Sequence, residues 1–179
     1  MDHLIIYGDF NCPFSALASQ RAIDLVDRAR ATVDWRAVEH DPAIPNGGVL
    51  VEGEVAAGFR QELDHVRSLL REGEPDVLRL PTRQVNTRRA TVRYAGTPIE
   101  QRPGVRQALF AAHWSRGDAI DDDHVLDRIG AGTPNRSTAE TWALDWRQAD
   151  AVTVPVLVLP DGYRSRGLGA LKRLAAMIG

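Results

Sequence analysis

The stretch Asp9-Phe10-Asn11-Cys12-Pro13-Phe14-Ser15 joins a short apolar run to a segment with helical spacing. The apolar run covers residues 4–10, and its length is typical of a buried strand. Proline is tolerated in the first turn of a helix, because its missing N–H is not needed there. Apolar residues recur at helical spacing after the proline. The sequence therefore predicts a strand at 4–10, a helix at 13–30, and Cys12 at the turn between them.

A second strand is expected at residues 32–39, where Val33, Trp35 and Ala37 alternate with mostly polar residues. A helix between two neighbouring strands makes a βαβ unit, in which the strands run parallel. Residues 41–49 are rich in proline and glycine, which predicts a linker.

The middle of the chain has a helical pattern over about a hundred residues. Candidate helices lie at 54–72, 84–95, 103–116, 122–130 and 137–149. The segment Ser137-Thr138-Ala139-Glu140 matches the capping box that opens a helix. The tryptophans of this block, Trp114, Trp142 and Trp146, are expected to pack its interior.

The β pattern returns near the end of the chain. Residues 154–159 predict a buried strand, and Pro160-Asp161-Gly162 a tight turn. Residues 163–165 predict a short partner strand. An amphipathic helix from Leu168 follows it.

Neither end of the chain is long enough to bury a sheet alone. We therefore expect one mixed sheet built from both ends, with helices on both sides. This organisation gives an α/β domain made of residues 1–45 and 150–179, and an inserted all-helical domain at 46–149.

Composition excludes several classes of function. The 179 residues carry a net charge of −2, which gives no general attraction for nucleic acid or anionic membranes. No basic segment followed by a long apolar run marks a signal peptide, and we expect a cytoplasmic protein. The single cysteine excludes an internal disulfide and a cysteine-cage metal site. No histidine pair has the spacing of metal ligands on a helix, so no metal is expected.

The order of these elements resembles the thioredoxin-like fold, and the helical insertion resembles its DsbA-like branch. That branch includes FrnE-like dithiol oxidoreductases, kappa-class glutathione transferases and 2-hydroxychromene-2-carboxylate isomerases. The matching segments are residues 9–15, Val85-Asn86-Thr87-Arg88-Arg89-Ala90, Thr153-Val154-Pro155-Val156-Leu157-Val158 and Gly167-Leu168-Gly169-Ala170-Leu171.

Cys12 is the predicted reactive centre. A thiolate is the nucleophile in cysteine chemistry, and the start of a helix stabilises negative charge. We therefore expect the pKa of Cys12 to be lowered. Pro13 helps to fix how the chain enters the helix, and Phe14 offers an apolar surface to a substrate.

The resemblance assigns roles to Thr153, Val154 and Pro155. In thioredoxin folds the corresponding proline is cis and lies against the active cysteine. The residue before it presents its backbone to an extended thiol substrate, a role that falls to Val154 here. Thr153 is expected to line the same groove.

Ser15 departs from the dithiol members, which carry a second cysteine at this position. Cys12-Pro13-Phe14-Ser15 is therefore a monothiol site, which needs an external thiol for release. Ser15 is expected to donate a hydrogen bond to the Cys12 thiolate. The transferases and isomerases carry a Ser-Asp pair for glutathione where this chain has Leu168-Gly169.

Three functions remain open at this point. The first is a thiol–disulfide oxidoreductase with Cys12 as sole nucleophile. The second is an enzyme similar to the transferases and isomerases, acting on a small organic molecule. The third is a non-catalytic binding module. The expected partner is a thiol or disulfide, either small or protein-bound, with a low-molecular-weight thiol as co-substrate and no tightly bound cofactor. A homodimer is compatible with the sequence.

Overall fold

The computed structural model describes residues 1–148 and 153–179. Its described strands are β1 (Asp2–Gly8), β2 (Ala31–Ala37), β3 (Val49–Leu50), β4 (Arg83–Gln84), β5 (Val156–Val158) and β6 (Arg164–Arg166). Its described α-helices are α1 (Pro13–Asp27), α2 (Gly53–Ser68), α3 (Arg88–Ala95), α4 (Arg102–Ala111), α5 (Asp123–Ile129), α6 (Arg136–Arg147) and α7 (Leu168–Ile178). A π-helical segment at Ala112–Arg116 follows α4 directly.

The central sheet is mixed and is built from both ends of the chain, as the sequence predicts. Its strand order is β2-β1-β5-β6. β1 pairs in parallel with β2, with Ile6 opposite Trp35. The other edge of β1 pairs antiparallel with β5, where Ile6 lies opposite Leu157. β1 is therefore a central strand, and its carboxyl end carries the chain directly into the turn before α1.

A second, two-stranded sheet lies in the middle of the chain, where an all-helical block was predicted. Val49 pairs with Gln84 and Leu50 with Arg83 in antiparallel register. The helix predicted from residue 84 therefore begins only at Arg88, where the Asn86 side chain accepts a hydrogen bond from the Arg88 backbone N–H at 3.0 Å. Two-residue strands are too short to show an alternating pattern, so the sequence does not predict them.

The predicted capping box of α6 is wrong. Asn135 is the N-cap of this helix, and its side chain accepts a hydrogen bond from the Thr138 backbone N–H at 3.0 Å. Asparagine is as good an N-cap as serine. Ser137 lies inside the helix, where its carbonyl accepts a hydrogen bond from the Thr141 hydroxyl.

One apolar cluster joins residues of the sheet, α1, α7 and the middle helices. Trp114, Trp142 and Trp146 are all buried in it. The division into domains at 45/46 and 149/150 stays a prediction, and the second boundary lies outside the described residues. Among the described helices, none has the length and apolar character that a membrane crossing requires.

Candidate functional site

Cys12 lies at the junction of β1 and α1, as the sequence predicts. Its backbone is extended and it occupies the N-cap position, with Pro13 in the first turn of the helix. Its side chain is buried, with 7% of the residue exposed. The sulfur lies 4.0 Å from the backbone carbonyl oxygen of Val154. The Val154–Pro155 peptide bond is cis. The two ends of the chain thus meet at this sulfur.

A pocket of about 380 Å³ opens over Cys12. Five residues predicted for the site line it, namely Cys12, Pro13, Phe14, Thr153 and Val154. Two predicted residues lie behind it. Ser15 is fully buried and hydrogen-bonds to Cys12, and Pro155 is anchored by its carbonyl oxygen, which accepts a hydrogen bond from the Gly167 N–H at 2.8 Å.

The sequence does not predict the remaining wall of this pocket. The additional lining residues are Asn11, His40, Val55, Gly58, Phe59, Glu62 and Gln84. They come from the turn after β1, the chain after β2, helix α2 and strand β4. Glu62 and His40 add ionisable groups to the pocket, and Phe59 adds an aromatic surface.

The expected lowering of the Cys12 pKa is wrong. Burial raises the pKa of the Cys12 thiol from its ordinary 9.0 to about 11, even though hydrogen bonds from Ser15 lower it. The negative charge of Asp9 raises it further. The amides at the start of α1 do favour a thiolate and lower the pKa. Desolvation of the buried sulfur raises the pKa by more than these amides lower it. At rest the site therefore holds a neutral thiol.

Asp9 organises the hydrogen bonds behind the pocket. Its side chain is fully buried, and its two carboxylate oxygens accept from His40 Nδ1 at 2.6 Å and from the Thr87 hydroxyl at 2.6 Å. The backbone N–H of His40 also donates to Asp9, at 2.9 Å. The carboxylate therefore ties together β1, the chain after β2 and the start of α3. The sequence offered one signal, a charged residue at the end of an otherwise apolar strand.

His40 and Glu62 have shifted acidities for related reasons. Burial lowers the pKa of His40, but the hydrogen bond and charge of Asp9 outweigh it, so the pKa is raised overall. Burial raises the pKa of Glu62, and the nearby His40 opposes that rise. Because Nδ1 of His40 is held by Asp9, the other ring nitrogen, Nε2, is the one that is free to meet a ligand.

A larger cleft of about 750 Å³ lies elsewhere and shares no lining residue with the Cys12 pocket. Its wall includes Arg88 and Arg89. These two arginines are exposed on α3 and form ion pairs with Glu39 and Asp123 respectively. Cys12 therefore lines the smaller pocket and not the larger cleft.

A mixed sheet with this order, a cysteine at the start of α1 and a cis-proline strand beside it define a thioredoxin-like protein. The predicted α/β fold is therefore confirmed. Residues 3–132 match the family model of the DSBA-like thioredoxin domain, and the chain belongs to that family. No curated protein matches the chain.

Solved structures agree with this fold. A probable DsbA oxidoreductase from Streptomyces coelicolor is 17% identical, with 99% of this chain and 88% of that chain covered and a TM-score of 0.73. A 2-hydroxychromene-2-carboxylate isomerase is 22% identical, with 99% and 94% covered and a TM-score of 0.65. The cytosolic disulfide reductase DsbM from Pseudomonas aeruginosa, solved with GSH, is 18% identical, with 98% and 95% covered and a TM-score of 0.65. At these identities the likeness concerns the fold alone.

Proposed function

We propose that this protein is a thiol–disulfide oxidoreductase in which Cys12 is the sole nucleophile. The observation that carries the proposal is the position of Cys12, which lines a pocket and whose sulfur lies 4.0 Å from the Val154 carbonyl oxygen. A disulfide in the pocket would lie with one sulfur against Cys12 and its chain along residues 153–154. Membership of the DSBA-like family supports the same activity.

The exchange proceeds in two balanced steps. The Cys12 sulfur attacks one sulfur of a disulfide, which forms a mixed disulfide and expels the other sulfur as a thiol that takes up the Cys12 proton. A second, external thiol then attacks the mixed disulfide and regenerates the Cys12 thiol, while a new small disulfide leaves. Ser15 cannot resolve the mixed disulfide, because it has no thiol. The external thiol is therefore a required co-substrate.

The raised pKa shapes the rates of these steps. With a pKa of about 11, about one molecule in ten thousand carries the thiolate at pH 7. Exchange is therefore slow at neutral pH and accelerates by about tenfold per pH unit until the pKa is approached. Cys12 is also a poor leaving group, since a thiol of high pKa is expelled slowly. The mixed disulfide is thus expected to persist until external thiol is added.

The neutral thiol favours a second candidate as well. An un-ionised Cys12 can donate a hydrogen bond to the sulfur of a bound thiol, which would support transferase or isomerase chemistry on a small organic molecule. In that case the thiol ligand binds reversibly and no covalent bond to Cys12 forms.

Mass spectrometry of the intact protein separates these functions. The reduced protein is incubated with bis(2-hydroxyethyl) disulfide at pH 8, and we expect a single adduct on Cys12 that external thiol removes. The Cys12→Ala variant is expected to form no adduct while its free energy of unfolding barely changes. Exchange that continues in this variant would refute the assignment. Reversible thiol binding without an adduct would favour the second candidate. The absence of both an adduct and thiol binding would favour a non-catalytic module.

A further inference from the structure

Negative charge predominates where α2 and the chain after β2 line the Cys12 pocket. Apart from Cys12, the ionisable lining residues are His40 and Glu62, and no lysine or arginine is among the described residues of the wall. Burial lowers the pKa of His40, but the nearby charges of Asp9, Asp41 and Glu62 all raise it. Three carboxylates therefore lie near one imidazole ring. Even a protonated His40 leaves an excess of negative charge beside the pocket.

The Glu62 carboxylate is available to a ligand. Glu62 lies in α2, is exposed to solvent and lines the pocket. In the described part of the chain, no hydrogen bond or ion pair holds its side chain. Burial raises the pKa of Glu62 and the charge of His40 opposes that rise, so the two groups interact across a short distance without forming an ion pair. A positively charged group in the pocket would therefore meet a carboxylate that has no competing partner on the protein.

An ammonium group fits this arrangement better than a carboxylate does. It can donate a charge-assisted hydrogen bond to Glu62, and because Glu62 is exposed, neither charge has to leave water completely. A carboxylate ligand would instead be repelled by Glu62 and Asp9. Among the described lining residues, the one group that could pair with it is His40, whose Nδ1 already lies 2.6 Å from Asp9.

We propose that the Cys12 pocket selects disulfides of aminothiols, in which an ammonium group lies close to the sulfur, and that Glu62 binds this group. The inference rests on the proposed disulfide exchange at Cys12 and names the substrate class of that exchange. Glu62 contacts the substrate and determines specificity, but it takes no part in the transfer of sulfur. The same charges disfavour disulfides that carry carboxylates near the sulfur.

Three small disulfides of similar length and different charge test the selection. They are cystamine, which carries two ammonium groups, bis(2-hydroxyethyl) disulfide, which is neutral, and 3,3′-dithiodipropionate, which carries two carboxylates. The rate of Cys12 adduct formation at pH 7.5 is divided by the rate of each disulfide with 2-mercaptoethanol, which removes differences in intrinsic reactivity. We expect the relative rate of cystamine to exceed that of the neutral compound by about three- to fivefold, and the dianion to react more slowly than the neutral compound.

Two variants of α2 show whether Glu62 is the cause. Glu62→Gln removes the charge with little change in size, and it is expected to reduce the preference for cystamine to less than about twofold. Asp64→Asn removes the same charge from the same helix, but Asp64 does not line the pocket and pairs with Arg67 at 2.8 Å. This control is expected to keep the preference. In the wild-type protein, about 0.5 M potassium chloride should weaken the preference, because salt screens exposed charges.

The outcomes separate the selection from the exchange on which it rests. Equal relative rates for the three compounds in the wild-type protein, or a faster reaction with the dianion, would overturn the selection and leave disulfide exchange intact. A preference that survives in Glu62→Gln, or that is lost equally in Asp64→Asn, would overturn the role of Glu62. Failure of all three compounds to form a Cys12 adduct would instead count against the proposed function itself.

Discussion

The hydroxyl oxygen of Ser15, three residues after Cys12, accepts a hydrogen bond from the backbone N–H of Asp9 at 3.2 Å. The same hydroxyl hydrogen-bonds to the sulfur and lowers the pKa of Cys12, although burial raises that pKa more. Ser15 therefore links the end of β1 to the reactive atom. Its position gives it two separable effects, one on stability and one on the acidity of the thiol.

The Ser15→Ala substitution is expected to raise the pKa of Cys12 further, because the thiolate loses a hydrogen-bond donor. At a fixed pH below the pKa, alkylation of Cys12 by iodoacetamide should slow by about three- to tenfold, which corresponds to one hydrogen bond. The unfilled Asp9 N–H should also lower the free energy of unfolding by about 1–3 kcal/mol. The measurement is the alkylation rate between pH 7 and 11.

Ser19 provides the control for this prediction. It is buried on the same helix, one turn beyond Ser15. The Ser19→Ala variant is expected to leave the pH dependence of alkylation unchanged. Identical alkylation profiles for Ser15→Ala and the wild-type protein would contradict the role given to the Ser15 hydroxyl.

His113 should make the protein sensitive to acid. It is 2% exposed, and within the described part of the chain its Nε2 has no hydrogen-bond partner. Burial lowers the pKa of His113 from 6.5 to about 4, although the charge of Asp9 opposes this. Between these two values the unfolded chain binds a proton that the folded chain does not. Stability is therefore present above pH 6.5 and falls as the pH drops toward 4, by about 3 kcal/mol in total.

The His113→Phe variant is expected to lose that part of the acid sensitivity. Urea unfolding at several values between pH 4 and 7 measures the free energy of unfolding of both proteins, and their difference should grow toward low pH. His124 is exposed at the start of α5 and serves as the control, with His124→Gln following the wild-type curve. Parallel curves for His113→Phe and the wild-type protein would show that His113 already titrates in its ordinary range.

The sequence predicted the covalent centre of the site better than its surroundings. Cys12 and Pro155 stand out by residue type, and the order of the elements brings both to the same end of two neighbouring central strands. His40 and Glu62 lack such a signal, because they reach the pocket only through the path of the chain after β2 and through helix α2. Their contribution depends on tertiary packing that no local pattern encodes.

The acidity of Cys12 failed to follow from the sequence for a related reason. The helix start is visible in the sequence at Pro13, and it argues for a lowered pKa. Burial of the sulfur is the opposing effect, and it depends on tertiary packing, which brings distant residues such as Val154 next to the cysteine. The helix start, which the sequence shows, lowers the pKa of Cys12. The tertiary fold determines how deeply the sulfur is buried, and burial has the larger effect.

Arg21 is expected to be a main support of the face of α1 that packs on α7. Its side chain is 3% exposed and forms a two-point ion pair with Glu74, with both N–O distances 2.8 Å. It also donates to the Leu171 carbonyl at 2.8 Å and to the Leu69 carbonyl at 2.7 Å. The Arg21→Met substitution leaves these acceptors unpaired and should cost about 3–5 kcal/mol of the free energy of unfolding.

Arg28 on the same helix tests whether burial is the cause. It pairs with Asp24 at 2.8 Å, but the side chains of Arg28 and Asp24 are 52% and 39% exposed, so water screens the pair. The Arg28→Ala substitution should therefore cost no more than about 0.5 kcal/mol. Urea unfolding measures both variants. A cost for Arg21→Met as small as that for Arg28→Ala would mean that the buried network adds little to stability.

Gly96 is expected to tolerate no side chain. It ends α3, and a Cβ placed there would overlap the backbone carbonyl of Thr133 and lie 3.3 Å from the Asn135 backbone nitrogen. Neither backbone atom can rotate away, so Gly96→Ala must displace the chain and should cost about 3 kcal/mol. Gly104 lies exposed in α4 with no atom within 4 Å of such a Cβ, and Gly104→Ala should instead stabilise by about 0.5–1 kcal/mol. Urea unfolding of the two variants is expected to give changes of opposite sign in the free energy of unfolding. A stabilised Gly96→Ala variant would show that residues 133–135 can move away from Gly96 without cost.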